Sequence, residues 1–187
     1  QGTSDYAMHL ALNYKQKPYI GIVLIPEKDE LWISNGDKLF CENKEGRRKK
    51  INISAKSILK DMSLVTSKNH RNKTLRELIQ KINFKKVIVM GSIGCKVASM
   101  IRGESDIYIS LSLPGQSSPK DWDLASPEAV LRAAGGAITT IDNEELTYNT
   151  KTFEHPGIII ASNNKNNHRS VCNQVKEIVK TNNIYPI

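Results

Sequence analysis

The sequence predicts an α/β protein in which part of an antiparallel sheet precedes a C-terminal α/β layer. Residues 1–55 contain four strand-like runs separated by turns, and this pattern is typical of an antiparallel meander. Residues 56–187 alternate short apolar runs with helical spacing, which indicates strands covered by helices. With 187 residues, of which 39% are hydrophobic, the chain is long enough to bury a core. We therefore predict a meander region at 1–55 and an α/β domain at 56–187.

The meander is predicted from strands at 6–14, 19–25, 31–34 and 39–41. Gln16-Lys17-Pro18 and Lys28-Asp29 form turns between the first three strands. Asn35-Gly36 is a tight-hairpin signal before the fourth strand. These turns are short enough to place each strand beside the next one.

The second part is predicted as strands at 62–67, 86–90, 106–110, 137–140 and 157–162, with the strand at 86–90 buried. Leu75, Leu78 and Ile82 share a helical face, and Thr74 lies near the start of that helix. Further helices are predicted from the Gly91–Gly94 turn to Gly103, from about Asp121 to a glycine pair at 135–136, and at 168–180.

The composition indicates which kind of partner the protein binds and in which compartment it is located. The net charge of +8 favours an anionic partner, and the basic run at 44–50 is interpreted as a solvated hairpin tip. The longest apolar run, at 19–25, is too short to cross a membrane. Cys41, Cys95 and Cys172 are far apart and odd in number, so we expect free thiols and a cytoplasmic location.

Three loops that follow or precede predicted elements carry anion-binding or acidic groups. The loop at 67–73 contains His70 and three cations, and the turn at 91–96 combines small residues with Ser92 and Lys96. The third loop presents Asp123 at a helix start. Because ligands collect at the carboxyl ends of strands in α/β sheets, these loops predict a pocket for a phosphate.

Asp123 has two interpretations, which the residues alone leave open. Its carboxylate can cap the first backbone amides of the helix, or it can hold a divalent cation that holds a phosphate. A single carboxylate is a poor magnesium site. Ser126-Pro127 is an alternative helix start that would leave Asp123 in a loop. Asp121 has no assigned role, and Cys95 is interpreted as a packing residue.

The run Trp122-Asp123-Leu124-Ala125-Ser126-Pro127-Glu128, with its glycine pair, resembles a signature of the inositol-monophosphatase-like family of magnesium-dependent, lithium-sensitive phosphatases. Ser67-x-x-His70 with Asn72-Lys73, and Gly91-Ser92-x-Gly94-x-Lys96, are most similar to its 3'(2'),5'-bisphosphate nucleotidase branch. The resemblance implies a layered sugar-phosphatase fold and a place in sulfur metabolism. It also implies that Asp123 is a Mg²⁺ ligand and that His70, Ser92 and Lys96 contact a small phosphorylated nucleotide.

The family's remaining acidic motifs, which hold metal and activate water, cannot be mapped onto this chain. Gly2-Thr3-Ser4 is similar to the segment that follows one of them, so we expect those motifs to precede Gln1. No catalytic residue is therefore assigned, and the isolated chain is expected to be inactive. Its expected partners are the nucleotide and either its own N-terminal segment or a homodimer mate, with no membrane partner and no nucleic acid.

The leading hypothesis is removal of the 3'-phosphate from adenosine 3',5'-bisphosphate or a related sulfonucleotide. Within the same family, the alternative substrate is inositol monophosphate or another sugar phosphate. A different class of protein, a non-catalytic basic module, would bind long polyanions in a salt-dependent way. Neutralising residues 47–50 would weaken such a module strongly and a nucleotidase little.

Overall fold

The computed structural model describes residues 4–46 and 51–186 and contains two β-sheets. The first sheet is wholly antiparallel, with strands in chain order: β1 (Met8–Tyr14), β2 (Lys17–Ile25), β3 (Glu30–Asn35) and β4 (Lys38–Glu42). The short turns predicted at Gln16 and Gly36 connect these strands, and Gly36 adopts the positive φ of 60° that a tight hairpin requires. The predicted meander is confirmed.

The second sheet has the order β6-β5-β7-β9-β8. Its strands are β5 (Ser63–Ser67), β6 (Lys86–Met90), β7 (Ile107–Ser112), β8 (Ala137–Thr140) and β9 (Gly157–Ser162). β5, β6 and β7 are parallel, whereas β9 runs antiparallel to both β7 and β8. The carboxyl ends of the three parallel strands consequently meet at one edge of the sheet.

Four helices complete the layers described: α1 (Lys73–Ile82), α2 (Ile93–Ile101), α3 (Asp121–Ala133) and α4 (Lys165–Thr181). α2 and α3 lie between the sheets, in a core that joins Trp32 of the first sheet to Leu124 and to Ile159 of the second. α1 and α4 pack on the outer face of the second sheet through Leu78 and Val175. The layered α/β architecture is thus confirmed, and the division at residue 55 stays a prediction.

The structure differs from two local predictions, the buried strand at 86–90 and the helix start at Ser126, and it identifies the cap of α1. β6 is an edge strand with Val87 and Val89 exposed, because β5 is its only pairing partner in the described part of the chain. The cap of α1 is Asn72, whose side chain accepts a hydrogen bond from the Leu75 amide at 2.8 Å. α3 begins at Asp121, which makes Pro127 an interior residue of that helix.

The basic run at 44–50 was predicted to be a hairpin tip, but among the described residues no strand begins within 51–57 to complete a hairpin with β4. Residues 51 to 57 form neither a helix nor a strand, while Arg47–Lys50 lie outside the described residues. All three cysteines are free and buried, as expected. None of the described helices combines the length and apolar character needed to cross a membrane.

One face of the first sheet is apolar and open to solvent in the described part of the chain. Its strand register places nine large apolar side chains side by side: Met8, Leu10, Leu12, Ile20, Ile22, Leu24, Leu31, Ile33 and Phe40. Met8 and Leu10 are each 66% exposed. On the opposite face, Val23 and Trp32 are fully buried against the helices. This sheet therefore has the composition of a layer covered on both faces.

The buried His168 should make the stability of the core depend on pH. Its ring nitrogens lie 2.8 Å from Thr139 Oγ1 and 2.7 Å from Ser162 Oγ, and burial lowers its pKa to about 4. His168 is protonated less readily in the folded protein than in the unfolded chain, so the stabilisation by its neutral ring is complete above pH 6.5. This stabilisation decreases as the pH falls towards the folded pKa of about 4, and about 3 kcal/mol of it has been lost at pH 4.

The measurement is urea unfolding between pH 7 and pH 4. We expect His168→Gln to remove this part of the acid sensitivity. His70→Gln is the matched control for the substitution itself, since His70 is an exposed histidine outside the core. Equal slopes for the native chain and His168→Gln would contradict the assignment.

Candidate functional site

A pocket of about 590 Å³ opens at the carboxyl ends of β5, β6 and β7, beside the start of α3. It contains all four residues predicted to bind substrate or metal. Its lining consists of Ser67, Asn69, His70, Arg71, Asn72, Ser92, Ile93, Lys96, Tyr108, Ser110, Leu111, Ser112, Gln116, Ser117, Ser118, Pro119, Lys120 and Asp123. Three loops that are distant in sequence thus form one polar wall. The pocket location agrees with the location predicted from the strand ends.

His70 and Ser92 reach the pocket from two neighbouring strand ends. His70 lies in the exposed loop between β5 and α1, which Asn72 holds by donating to the Leu111 carbonyl at 3.1 Å. Ser92 lies in the turn between β6 and α2, where its φ of 22° and ψ of 135° fall outside the common regions. The turn directs the amino-terminal end of α2, with its partial positive charge, towards the pocket.

Lys96 is a buried cation in the pocket wall. Only 3% of it is exposed, and its ammonium donates a hydrogen bond to the Gly91 carbonyl at 3.0 Å and lies 5.4 Å from the centre of the Tyr108 ring. Burial lowers its pKa to about 8, against the opposing attraction of Asp5 and Asp123. The ammonium thus both fixes the turn and places positive charge at the pocket.

Asp123 combines the two interpretations that the sequence left open. As the third residue of α3 it reaches back, and its Oδ2 accepts a hydrogen bond from the Lys120 amide at 2.9 Å. This contact is a helix cap. The side chain is only half-buried and also lines the pocket, so its carboxylate faces the site while it caps the helix.

Pro127 affects the same helix turn. It has no amide hydrogen to donate to the carbonyl four residues earlier, which belongs to Asp123. Ser126 fixes this part of α3 in another way, by donating from Oγ to the Ile22 carbonyl at 2.6 Å. Ser126 therefore anchors the first part of α3 to the first sheet. It does not start the helix, which begins at Asp121.

Asp121, which had no predicted role, joins α3 to the loop that precedes β9. Its Oδ1 lies 2.8 Å from His155 Nε2, and its Oδ2 accepts from the Asn149 amide at 2.6 Å. The Asp121 amide in turn donates to the Phe153 carbonyl at 2.9 Å. The two acids of the Asp-Trp-Asp triplet thus have different roles. Asp121 is buried and holds α3 to a neighbouring loop, whereas Asp123 faces the pocket.

Asp121→Ala should lower the free energy of unfolding by about 3 kcal/mol, because it leaves buried donors unpaired. The matched control is Asp142→Ala, which removes an acid paired with Lys176 on the surface and should cost at most about 1 kcal/mol. Denaturant unfolding of both variants measures the difference. Equal losses would show that Asp121 is not a structural anchor.

Three residues at or behind the pocket were missed by the sequence analysis. Ser118 Oγ is buried, and it has no hydrogen-bond partner among the described residues. His9 lies behind Ser92, and the Asp5 carboxylate lies 3.5 Å from the Gly91 amide. Period-two alternation could have signalled His9, since it lies on the opposite face of β1 from Met8 and Leu10. No comparable signal marks Asp5 or Ser118.

The sequence comparisons find similar proteins along almost the whole chain. The model of the inositol monophosphatase family matches residues 1–180. The 3'(2'),5'-bisphosphate nucleotidase CysQ of Buchnera aphidicola is 31% identical over 145 residues, which are 77% of this chain and 51% of that protein. The 3'(2'),5'-bisphosphate nucleotidase 1 of Rattus norvegicus is 32% identical over 120 residues, which are 63% of this chain and 37% of that protein.

The fold of the chain is also similar to that of solved structures. An inositol monophosphatase structure from Zymomonas mobilis has a TM-score of 0.73 at 17% identity, covering 96% of this chain and 64% of that one. The chain thus spans about half the length of the Buchnera relative, and less of the rat one. Because the family model matches residues 1–180 of 187, this chain belongs to the inositol monophosphatase family.

Proposed function

We propose that this chain forms the nucleotide-binding wall of a Mg²⁺-dependent phosphatase that removes the 3'-phosphate of adenosine 3',5'-bisphosphate or a related sulfonucleotide. The observation that carries the proposal is the meeting of His70, Ser92, Lys96 and Asp123 in one pocket. The names of the Buchnera and rat relatives support a nucleoside bisphosphate as the substrate. The three buried free thiols support a reducing, cytoplasmic location.

The charges and donors of the pocket suit a phosphate. Arg71, Lys96 and Lys120 contribute positive charge, although the Lys120 ammonium is also paired with Glu154. The Ser118 hydroxyl is a buried donor that a ligand oxygen would satisfy. Together with the amides at the start of α2, these groups neutralise the charge of a bound phosphate and orient it towards Asp123.

The described residues fit Mg²⁺ only in part. Mg²⁺ binds through one or two carboxylates together with substrate phosphates and waters, so Asp123 can supply one ligand. No group of three or more potential metal-binding side chains occurs within 4–46 and 51–186. The metal, once bound, would act as a Lewis acid on the phosphate, and the acids that activate water would have to come from another segment.

We further propose that the segment that completes the site lies on the apolar face of the first sheet. This partner is the protein's own N-terminal segment or a second copy of the chain. The nine apolar side chains of this face support such a covering layer, since four of them, Met8, Leu10, Leu12 and Phe40, are exposed and exposed apolar patches mark interaction sites. β1 on the same sheet also carries His9 behind the pocket, so a layer on this sheet would lie near the site.

The isolated chain should accordingly bind an apolar fluorescent dye through this face. Leu10→Ser with Ile33→Ser should reduce dye binding severalfold, because apolar area drives the contact. Val87→Ser with Val89→Ser on the edge strand β6 is the matched control and should reduce it much less. If the two double variants lose dye binding equally, the apolar face is not the main exposed surface.

Equilibrium titration with adenosine 3',5'-bisphosphate, inositol monophosphate and duplex DNA tests the proposed substrate. We expect the nucleotide to bind most tightly. Ser118→Ala should weaken its binding about fivefold, the equivalent of one hydrogen bond. Ser170→Ala, on the exposed face of α4, should have no effect.

Each rival has its own outcome. Tighter binding of inositol monophosphate would favour a sugar phosphatase of the same family. Preferential, strongly salt-dependent binding of DNA would favour the basic binding module. Nucleotide binding that is unchanged in Ser118→Ala would contradict the proposed pocket.

A further inference from the structure

His9 connects the two walls of the pocket from behind. It lies on β1, with Nδ1 3.4 Å from the Trp122 carbonyl oxygen and Nε2 3.5 Å from Ser92 Oγ. Trp122 belongs to the start of α3, whereas Ser92 precedes α2. His9 does not line the pocket that contains Ser92, so it acts on that site only through its neighbours.

The fit of the His9 ring depends on a glycine in the first turn of α2. A Cβ atom added at Gly94 would lie 2.4 Å from His9 Nε2 and 2.8 Å from Val23 Cγ1. Such distances are too short for any side chain. The glycine therefore lets the imidazole approach the turn closely enough to reach the Ser92 hydroxyl.

The hydrogen-bond chemistry assigns a direction to each contact. The Trp122 carbonyl can only accept, so the proton of a neutral ring is on Nδ1. Nε2 is then an acceptor, and the Ser92 hydroxyl donates to it. Burial lowers the pKa of His9, which favours this neutral ring.

We propose that His9 is a positioning residue that turns the Ser92 hydroxyl hydrogen away from the pocket. Ser92 Oγ then presents its lone pairs to the ligand and accepts a hydrogen bond from a hydroxyl or amino group of the substrate. The dianionic phosphate groups of the nucleotide carry no hydrogen to donate, so they bind the α2 amides and the cations and not this oxygen. The proposal rests on the proposed function and adds that Ser92 recognises the hydroxyl or amino groups of the substrate and not its phosphates.

The test compares two ligands of the 187-residue chain, adenosine 3',5'-bisphosphate and sulfate, a dianion without a hydrogen to donate that is measured as its competitor. Ser92→Ala and His9→Leu should each weaken nucleotide binding about fivefold. Both should leave sulfate competition unchanged. The double variant should be no weaker than either single variant, because the two residues act as one unit.

Two controls separate positioning from a general loss of structure. His9→Gln can donate and accept at once, so it should recover most of the nucleotide affinity that His9→Leu loses. His70→Leu, in the loop after β5, should be additive with Ser92→Ala. If His9→Leu does not fold, the pair of Ser92→Ala and His9→Gln still tests the contact.

The outcomes distinguish this inference from the proposed function. A native chain that does not bind the nucleotide would overturn the proposed function and this inference together. Native nucleotide binding that Ser92→Ala leaves intact, or additive losses for His9 and Ser92, would overturn only the inference. A parallel loss of sulfate competition would also overturn it.

Discussion

Asp123→Asn should abolish the effect of Mg²⁺ on the binding of adenosine 3',5'-bisphosphate. In the native chain we expect Mg²⁺ to strengthen this binding at least about 10-fold, because the ion can bridge the carboxylate and the ligand's phosphates. The asparagine oxygen can still accept from the Lys120 amide, so the helix cap is kept and only the charge is lost. Isothermal titration with Mg²⁺ and with a chelator measures the difference.

The matched control for this substitution is Asp142→Asn, an acid paired with Lys176 on the surface. It should keep the full Mg²⁺ effect. Thermal unfolding of Asp123→Asn should match that of the native chain. An Asp123→Asn variant that still binds the nucleotide more tightly with Mg²⁺ would remove Asp123 from the proposed metal site.

Gly21→Ala should destabilise the protein by about 3 kcal/mol, which is at the upper end of the usual cost of overpacking. A Cβ atom at this position would lie 2.6 Å from the Ser126 carbonyl oxygen and 2.8 Å from Ala129 Cβ, so β2 and α3 would have to separate. Since α3 carries Asp123, nucleotide binding should weaken as well. Denaturant unfolding and the same titration measure the two effects.

Gly115→Ala is the control for the loss of a glycine. Its φ of +77° makes any side chain strained, but a Cβ atom there would meet nothing within 4 Å. We expect a cost of about 1 to 2 kcal/mol from the backbone alone. If Gly21→Ala costs no more than Gly115→Ala, the close approach of β2 to α3 does not limit stability.

The order of strands and helices could be predicted because hydrophobic periodicity and turn residues are local signals. The site could be located for a related reason. Ser67 and Ser92 follow parallel strands, and the carboxyl ends of such strands meet whatever the other contacts are. The family resemblance then singled out Asp123, which composition and spacing alone left between a cap and a metal ligand.

Long-range contacts could not be predicted from these local signals. His9 and Ser92 are 83 positions apart, and Asp121 is 34 positions from His155. The run at 86–90 is apolar enough for a central strand, but β6 lies at the sheet edge because no further strand pairs with it in the described residues. Sequence periodicity reports which face of a strand is apolar and does not report where the strand lies in the sheet.

We propose that this chain supplies one wall of a phosphatase site and that turnover needs acids from another segment, either the protein's own N-terminal segment or a second copy of the chain. The most direct measurement is phosphate release from adenosine 3',5'-bisphosphate with Mg²⁺, using a sample whose intact mass matches the 187-residue chain alone. We predict that the sample binds the nucleotide and releases no phosphate. Phosphate release by that single species would contradict the claim.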